Sequence, residues 1–168
     1  MFPRAQQVGL PFPSCAAHKE GKKTKCRVDM MDKVALARQF IEAIPHARAL
    51  NMKLMDIGDG TAVFEMPYDT RMIGDPKTGV IHGGAVSAMM DTCCGAAVMS
   101  HPAAPGGTAT IDLRIDYMRA ATPGQAIRTT ATCYHITRTV AFVRATATDD
   151  NADQPVATAS GSFTVEKA

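Results

Sequence analysis

The 168-residue sequence has no tryptophan and only three tyrosines and six phenylalanines, which leaves few aromatic platforms on which nucleic-acid bases could stack. A large charge of either sign is also missing. Eighteen Lys and Arg against sixteen Asp and Glu give a formal charge of +2. Lys19, Lys22, Lys23, Lys25 and Arg27, clustered near the N-terminus, account for more than that excess. Nucleic-acid binding needs a basic face interleaved with aromatics, and the rest of the chain offers neither, so no such partner is expected. No apolar run approaches the ~20 residues that span a bilayer. Pro3, Arg4, Pro11 and Pro13 fall where a secretory signal needs an unbroken apolar stretch. The five cysteines, Cys15, Cys26, Cys93, Cys94 and Cys133, form no CxxC pair, and an odd number without a signal suits a reducing compartment. A cytoplasmic protein without a membrane partner is expected. His46, His82, His101 and His135 lack the spacing of a metal site. No Gly-x-Ser-x-Gly nucleophile elbow occurs either. The expectation is therefore no metal, no other cofactor and no serine-hydrolase triad.

What is present is a 46% hydrophobic chain in which Ala and eleven Met replace aromatics, enough for one domain with closely packed elements. Residues 1–30 mix Pro, Gly, Lys and Ser without period and read as a disordered extension; residues 31–168 read as the domain. Val34, Leu36, Ala37, Phe40, Ile41 and Ile44 follow helical spacing, with Asp32 as N-cap and Pro45 as terminator. A hairpin follows, from Met52 to Ile57 and Ala62 to Met66 around Gly58-Asp59-Gly60. Tyr68 to Val80 reads as a loop. The run Ala85–Ser100 is a helix apolar almost all round, with Ser87, Asp91 and Thr92 as its polar breaks, and a helix apolar on every side is a buried one. Four strands complete the chain: Thr108–Met118, Ala126–Ile136, Val140–Thr148 and Val156–Val165. Short turns between them favour an antiparallel α+β fold, a sheet curling around the apolar helix.

The chemistry concentrates in Gly79-Val80-Ile81-His82-Gly83-Gly84 and the helix after it. Free N–H groups at a glycine-lined helix start receive developing negative charge, as an oxyanion hole requires; equally, Gly83 and Gly84 let the helix pack tightly on the sheet. Asp91 is the odd residue in its apolar surroundings. A carboxylate kept there is either a general base or nucleophile, or a structural cap or ion-pair member. Gly83 and Asp91, eight residues apart, are separated by about 12 Å along one helix at ~1.5 Å per residue. One carbonyl carbon cannot touch both. A shared site then needs two chains, each supplying one member.

His82-Gly83-Gly84 with Asp91, the segment Thr110 to Arg119, and Thr139-Val140-Ala141-Phe142 together resemble the phenylacetic-acid-degradation (PaaI-like) hotdog thioesterases. The thioesterase superfamily member 2 type and the 4-hydroxybenzoyl-CoA thioesterases are relatives of that group. The resemblance runs from about Ile44 to Val165. It implies a hotdog fold, a six-stranded antiparallel sheet wrapped around a central helix, and hydrolysis of a medium-chain or aryl acyl-CoA by a homodimer or a dimer of dimers. Gly83 would polarise the thioester carbonyl, with Gly84 beside it, and Asp91 of the partner would act as base or nucleophile. Thr110 takes the place of a water-positioning Ser, or is an ordinary strand threonine. His82 would bond backbone at the helix entrance rather than act in catalysis. Arg119 and Arg138, at strand ends, would grip a CoA phosphate or remain solvated. Relatives carry Asn or Gln seven residues before the glycine matched by Gly83; here that position is Pro76, with Asp75 beside it. A second carboxylate there would act differently from an amide. Two other readings share the fold: a non-catalytic acyl-CoA-binding module or sensor, and a hydratase or dehydratase, whose His-rich motifs this chain matches poorly.

Overall fold

The computed structural model describes residues 39, 41, 43–103 and 106–166; the expected extension over residues 1–30 and most of the first expected helix lie outside them. Gln39, Ile41 and Ala43 are helical, Ile44 is extended, and Pro45 opens a new short helix, α1 (Pro45–Ala49). Proline acts in both directions. It drives the residue before it out of helical backbone, and its fixed φ with no N–H suits the first position of the next helix. Read only as a terminator, Pro45 hides α1.

The hairpin pairs β1 (Lys53–Gly58) with β2 (Thr61–Met66) across Asp59 and Gly60. Gly60 adopts φ +81°, a left-handed backbone that glycine takes without steric cost. The segment expected as a loop holds a 3₁₀ turn (Thr70–Met72) and a small separate hairpin, β3 (Ile73–Asp75) with β4 (Val80–Ile81). Then come the long helix α2 (Gly83–Met99) and four strands: β5 (Thr110–Tyr117), β6 (Ile127–Ile136), β7 (Val140–Thr148) and β8 (Ala157–Thr164).

The main sheet is antiparallel, six-stranded and ordered β1-β2-β6-β7-β8-β5, and α2 packs against every strand of it. This is the α+β hotdog architecture. Period-two alternation supplies the core: Ala141, Val143, Ala145 and Ala147 of β7 are buried, as are Ala62, Phe64 and Met66 of β2. They meet Val86, Met89, Met90, Cys93, Ala97 and Val98 of the helix. Burying each larger apolar side chain contributes about 1.5–3 kcal/mol, and the alanines let the sheet approach the helix closely.

One expectation is corrected. The helix is not buried on every side: Ser87, Ala88, Asp91, Thr92, Gly95 and Met99 are only half-buried. They recur every three or four residues and form a stripe that the sheet covers only in part. Apolar side chains are also bare at the β5 edge, where Ile111, Tyr117 and Met118 are 56%, 48% and 57% exposed.

Candidate active site

Two constellations sit at different heights on α2. The first is its N-terminus. His82 is the N-cap, and its Nδ1 accepts the Gly84 N–H at 2.9 Å while its carbonyl accepts the Ala85 N–H at 3.0 Å. The His82 N–H in turn donates to the Met72 carbonyl at 2.8 Å, which fixes the helix entrance on the preceding turn. His82 is thus engaged with backbone. The Gly83 N–H has no hydrogen-bond partner among the described residues, and it lies at the positive end of a seventeen-residue helix.

The Gly83 carbonyl is held from outside the helix. Tyr117 OH donates to it at 2.6 Å, Ser87 Oγ lies 3.1 Å from it, and the two hydroxyls are 2.7 Å apart. The same tyrosine crowds the space beside Gly83. A Cβ there would stand 3.2 Å from Tyr117 Oη and 3.3 Å from Cζ. A cavity of ≈ 310 Å³ opens beside Gly83, walled by Val80, Ile81, Val86, Tyr117 and Met118.

The second constellation is two turns further along. Asp91 lies on the half-buried stripe, and Thr110 Oγ1 of β5 donates to its Oδ1 at 2.7 Å. The neighbouring thiols are chemically silent. Burial, followed by the Asp91 charge, pushes Cys94 up to about 12, and burial raises Cys93 still further. Gly83 and Asp91 share α2, so the ~12 Å axial spacing of eight helical residues keeps them apart within one chain.

Of the remaining sequence candidates, Arg119 borders the cavity beside Gly83, while Asp75 and Arg138 do not. Asp75 is exposed and shapes its own turn: its carboxylate accepts from Lys77 N–H at 3.0 Å and Thr78 Oγ1 at 2.8 Å, bonds that hold it below its ordinary value. Within one chain no hydrogen bond among the described residues links it to Asp91. Arg119 directs Nε and both terminal nitrogens into the protein. They bond the Asp149 carboxylate at 2.7 and 2.5 Å, the Gln154 carbonyl at 3.1 and 2.7 Å, and the Ala120 carbonyl at 3.0 Å. All five guanidinium N–H groups are then occupied, and none is left for a phosphate. Asp149 also accepts from Thr122 and Asn151 backbone, and this clamp joins the β5–β6 and β7–β8 connections. Arg138 is exposed at the β6–β7 turn. The sequence reading left two residues without a role: Ser87, visible as a polar break in the helix, and Tyr117, visible only as part of a motif.

A thioesterase superfamily model matches residues 78–156. Among solved structures, a Pseudomonas aeruginosa protein is 35% identical with a TM-score of 0.70, aligned over 78% of this chain and 97% of its own. The Escherichia coli PaaI protein of the phenylacetic acid degradation operon is 20% identical with a TM-score of 0.70, over 81% and 93% of the two chains. Zebrafish thioesterase superfamily member 2 is 23% identical with a TM-score of 0.68, over 81% and 97%. At those identities the last two establish the fold alone. No curated protein sequence matches the chain. No described helix is long and apolar enough to cross a membrane.

Proposed function

The chain belongs to the thioesterase superfamily, and on that premise we propose that it is a cytoplasmic acyl-CoA thioesterase whose active sites are shared between two copies of the chain. The observation that carries this reading is the division of labour on α2. An unpartnered Gly83 N–H sits at its start, and a carboxylate held by Thr110 sits two turns later. Two such helices lying antiparallel bring the Gly83 of one copy to the Asp91 of the other. The half-buried helix stripe and the exposed apolar edge of β5 support the second copy, because both are surfaces a partner would cover. The homodimer is the functional unit, and a dimer of dimers is the larger assembly the resemblance implies.

In the composite site the Gly83 N–H receives the charge that develops on the thioester oxygen. Asp91 of the second copy removes a proton from water as it attacks the carbonyl carbon, or attacks that carbon itself. In the first course the tetrahedral centre collapses with loss of the CoA thiolate, which takes up the proton held by Asp91. In the second the thiolate leaves as a mixed anhydride forms on Asp91, and water then cleaves that anhydride, releasing the acid, freeing Asp91 and supplying the thiolate's proton. Single turnover in ¹⁸O-water tests for the second course, since label enters Asp91 only when water cleaves the mixed anhydride at the aspartyl carbonyl. The small apolar cavity beside Gly83 suits a medium-chain or aryl acyl-CoA substrate. With Arg119 engaged internally, Arg138 is the remaining one of the two arginines the sequence singled out for a CoA phosphate.

The test is CoA release from short, medium and aryl acyl-CoAs, followed by thioester absorbance, for wild type and Asp91→Asn. Turnover that falls at least about a hundredfold in the folded variant is expected, the contribution of a general base being about 10²–10⁴. Binding without turnover on every acyl-CoA would turn the reading toward an acyl-CoA sensor.

A further inference from the structure

We infer that Tyr117, with Ser87 behind it, is a positioning residue for the Gly83 oxyanion donor; the inference rests on the proposed thioesterase reading. Gly83-Gly84 is the most permissive pair of backbone positions with which a helix can begin, since neither residue has a Cβ to restrict φ and ψ. An oxyanion donor must nevertheless lie about 2.7–3.1 Å from the developing charge, and a misplacement of about 1 Å costs about a hundredfold in rate. Something must therefore hold the glycines.

Two side chains do so. The His82 imidazole takes the Gly84 N–H at 2.9 Å, and the Tyr117 hydroxyl takes the Gly83 carbonyl at 2.6 Å. The Tyr117 ring also fills the space a Cβ would occupy at residue 83, with Cζ at 3.3 Å and Cε1 at 3.5 Å from that point. Gly83 is thus gripped through its carbonyl and blocked on its open face, while its N–H stays free. Ser87 completes the triangle. Its Oγ is 3.1 Å from the Gly83 carbonyl and 2.7 Å from the Tyr117 oxygen, so its one proton serves either the carbonyl or the tyrosine. The serine is one helical turn from Gly83, where its own side chain faces the same carbonyl.

The experiment compares wild type, Asp91→Asn, Tyr117→Phe, Ser87→Ala, Ser87→Thr and the Tyr117→Phe/Ser87→Ala double variant. Each is characterised by kcat, KM and thermal midpoint on the best acyl-CoA. A positioning role predicts that Tyr117→Phe lowers kcat about tenfold with KM within about twofold, the signature of an interaction made mainly in the transition state. Ser87→Ala should lower kcat about threefold and Ser87→Thr should restore it, each smaller than one full charge-assisted bond. The double variant should lose less than the product of the two single losses, because both hydroxyls serve the one Gly83 carbonyl. Wild-type kcat in Tyr117→Phe, a rise in KM alone, or a loss that tracks the thermal midpoint would overturn the inference. If turnover depends on Asp91 but not on Tyr117, only this inference fails. If the wild type turns over no acyl-CoA, the thioesterase reading falls and this one falls with it.

Discussion

Thr110 reaches Asp91 because β5 carries a bulge at Ile111. Thr110 pairs with Phe163 and Asp112 with Ser162, so Ile111 is an extra residue between them. Regular alternation from Leu113 and Ile115 would turn Ile111 inward and Thr110 outward. The bulge reverses this. Ile111 becomes 56% exposed, and the Thr110 hydroxyl points at the helix, 2.7 Å from Asp91 Oδ1. Hydrogen bonds to charged groups contribute about 1.5–3 kcal/mol. Thr110→Val, which keeps the shape and loses the donor, is therefore expected to reduce kcat about ten- to a hundredfold. Thr110→Ser should stay within a few-fold of wild type. A valine variant at full activity would make Thr110 an ordinary strand residue.

Composite sites make a prediction that single variants cannot. A bulky substitution such as Gly83→Leu, whose Cβ alone would stand 3.2 Å from Tyr117 Oη, would displace the ring or the helix entrance, so it should inactivate the oxyanion end. Asp91→Asn inactivates the other end. Mixed from unfolded chains, the two inactive proteins should regain activity, because a heterodimer contains one site with both an intact Gly83 and an intact Asp91. The checks are the recovered rate and tagged-heterodimer purification. Heterodimers without activity would place both groups in the same subunit's site or remove one of them from the chemistry.

The extent to which the sequence could be read varies with the physics of each feature. The hairpin, the apolar helix and the last three strands were legible because period and turn chemistry act locally; Val140–Thr148 coincides with β7. The bulge at Ile111 was not, since it depends on pairing with β8, a strand more than forty residues later. Asp91 stood out as a charge among apolar residues, yet its half-exposed position depends on the sheet covering only one side of the helix. Arg119 shows the opposite failure. An arginine at a strand end suits a phosphate in sequence, and only the fold reveals that Asp149 and Gln154 occupy it first. Tyr117 was invisible as a partner of Gly83 because the two are thirty-four residues apart and meet only after β5 crosses to the far edge.

The Arg119–Asp149 clamp gives the protein an acid-sensitive joint. Arg119 first, then the Thr122 and Asn151 bonds, holds Asp149 well below the ordinary carboxylate range against the opposing effect of burial. Its side chain has no exposure, while that of Arg119 has 24%. A depressed folded pKa means a contribution that is complete above the unfolded value of about 3.9 and lost as pH falls below it. Asp149→Asn should destabilise the protein by about 2–3 kcal/mol at pH 7, less than for a fully buried pair because water reaches the arginine. Urea unfolding between pH 7 and pH 3 checks this. The gap between wild type and variant should narrow below about pH 4, and a gap independent of pH would mean the clamp is not held by the Asp149 charge.

The free edge of β5 decides whether the shared site is assembled as proposed. An exposed edge bearing bare apolar side chains pairs readily with another strand, and a lysine placed on such an edge opposes that pairing. Ile111 sits at the bulge on this edge, Met118 follows its far end, and both are more than half exposed. Neither is part of the core around α2. Ile111→Lys should therefore leave the protomer folded but weaken its association, measured by sedimentation at micromolar concentration. Because Gly83 and Asp91 cannot meet within one chain, activity should fall with the dimer fraction and return as protein concentration rises. A lysine variant that is monomeric and fully active would end the shared-site reading. One that stays dimeric and active would move the interface from the β5 edge to the half-buried stripe of Ala88, Thr92 and Gly95.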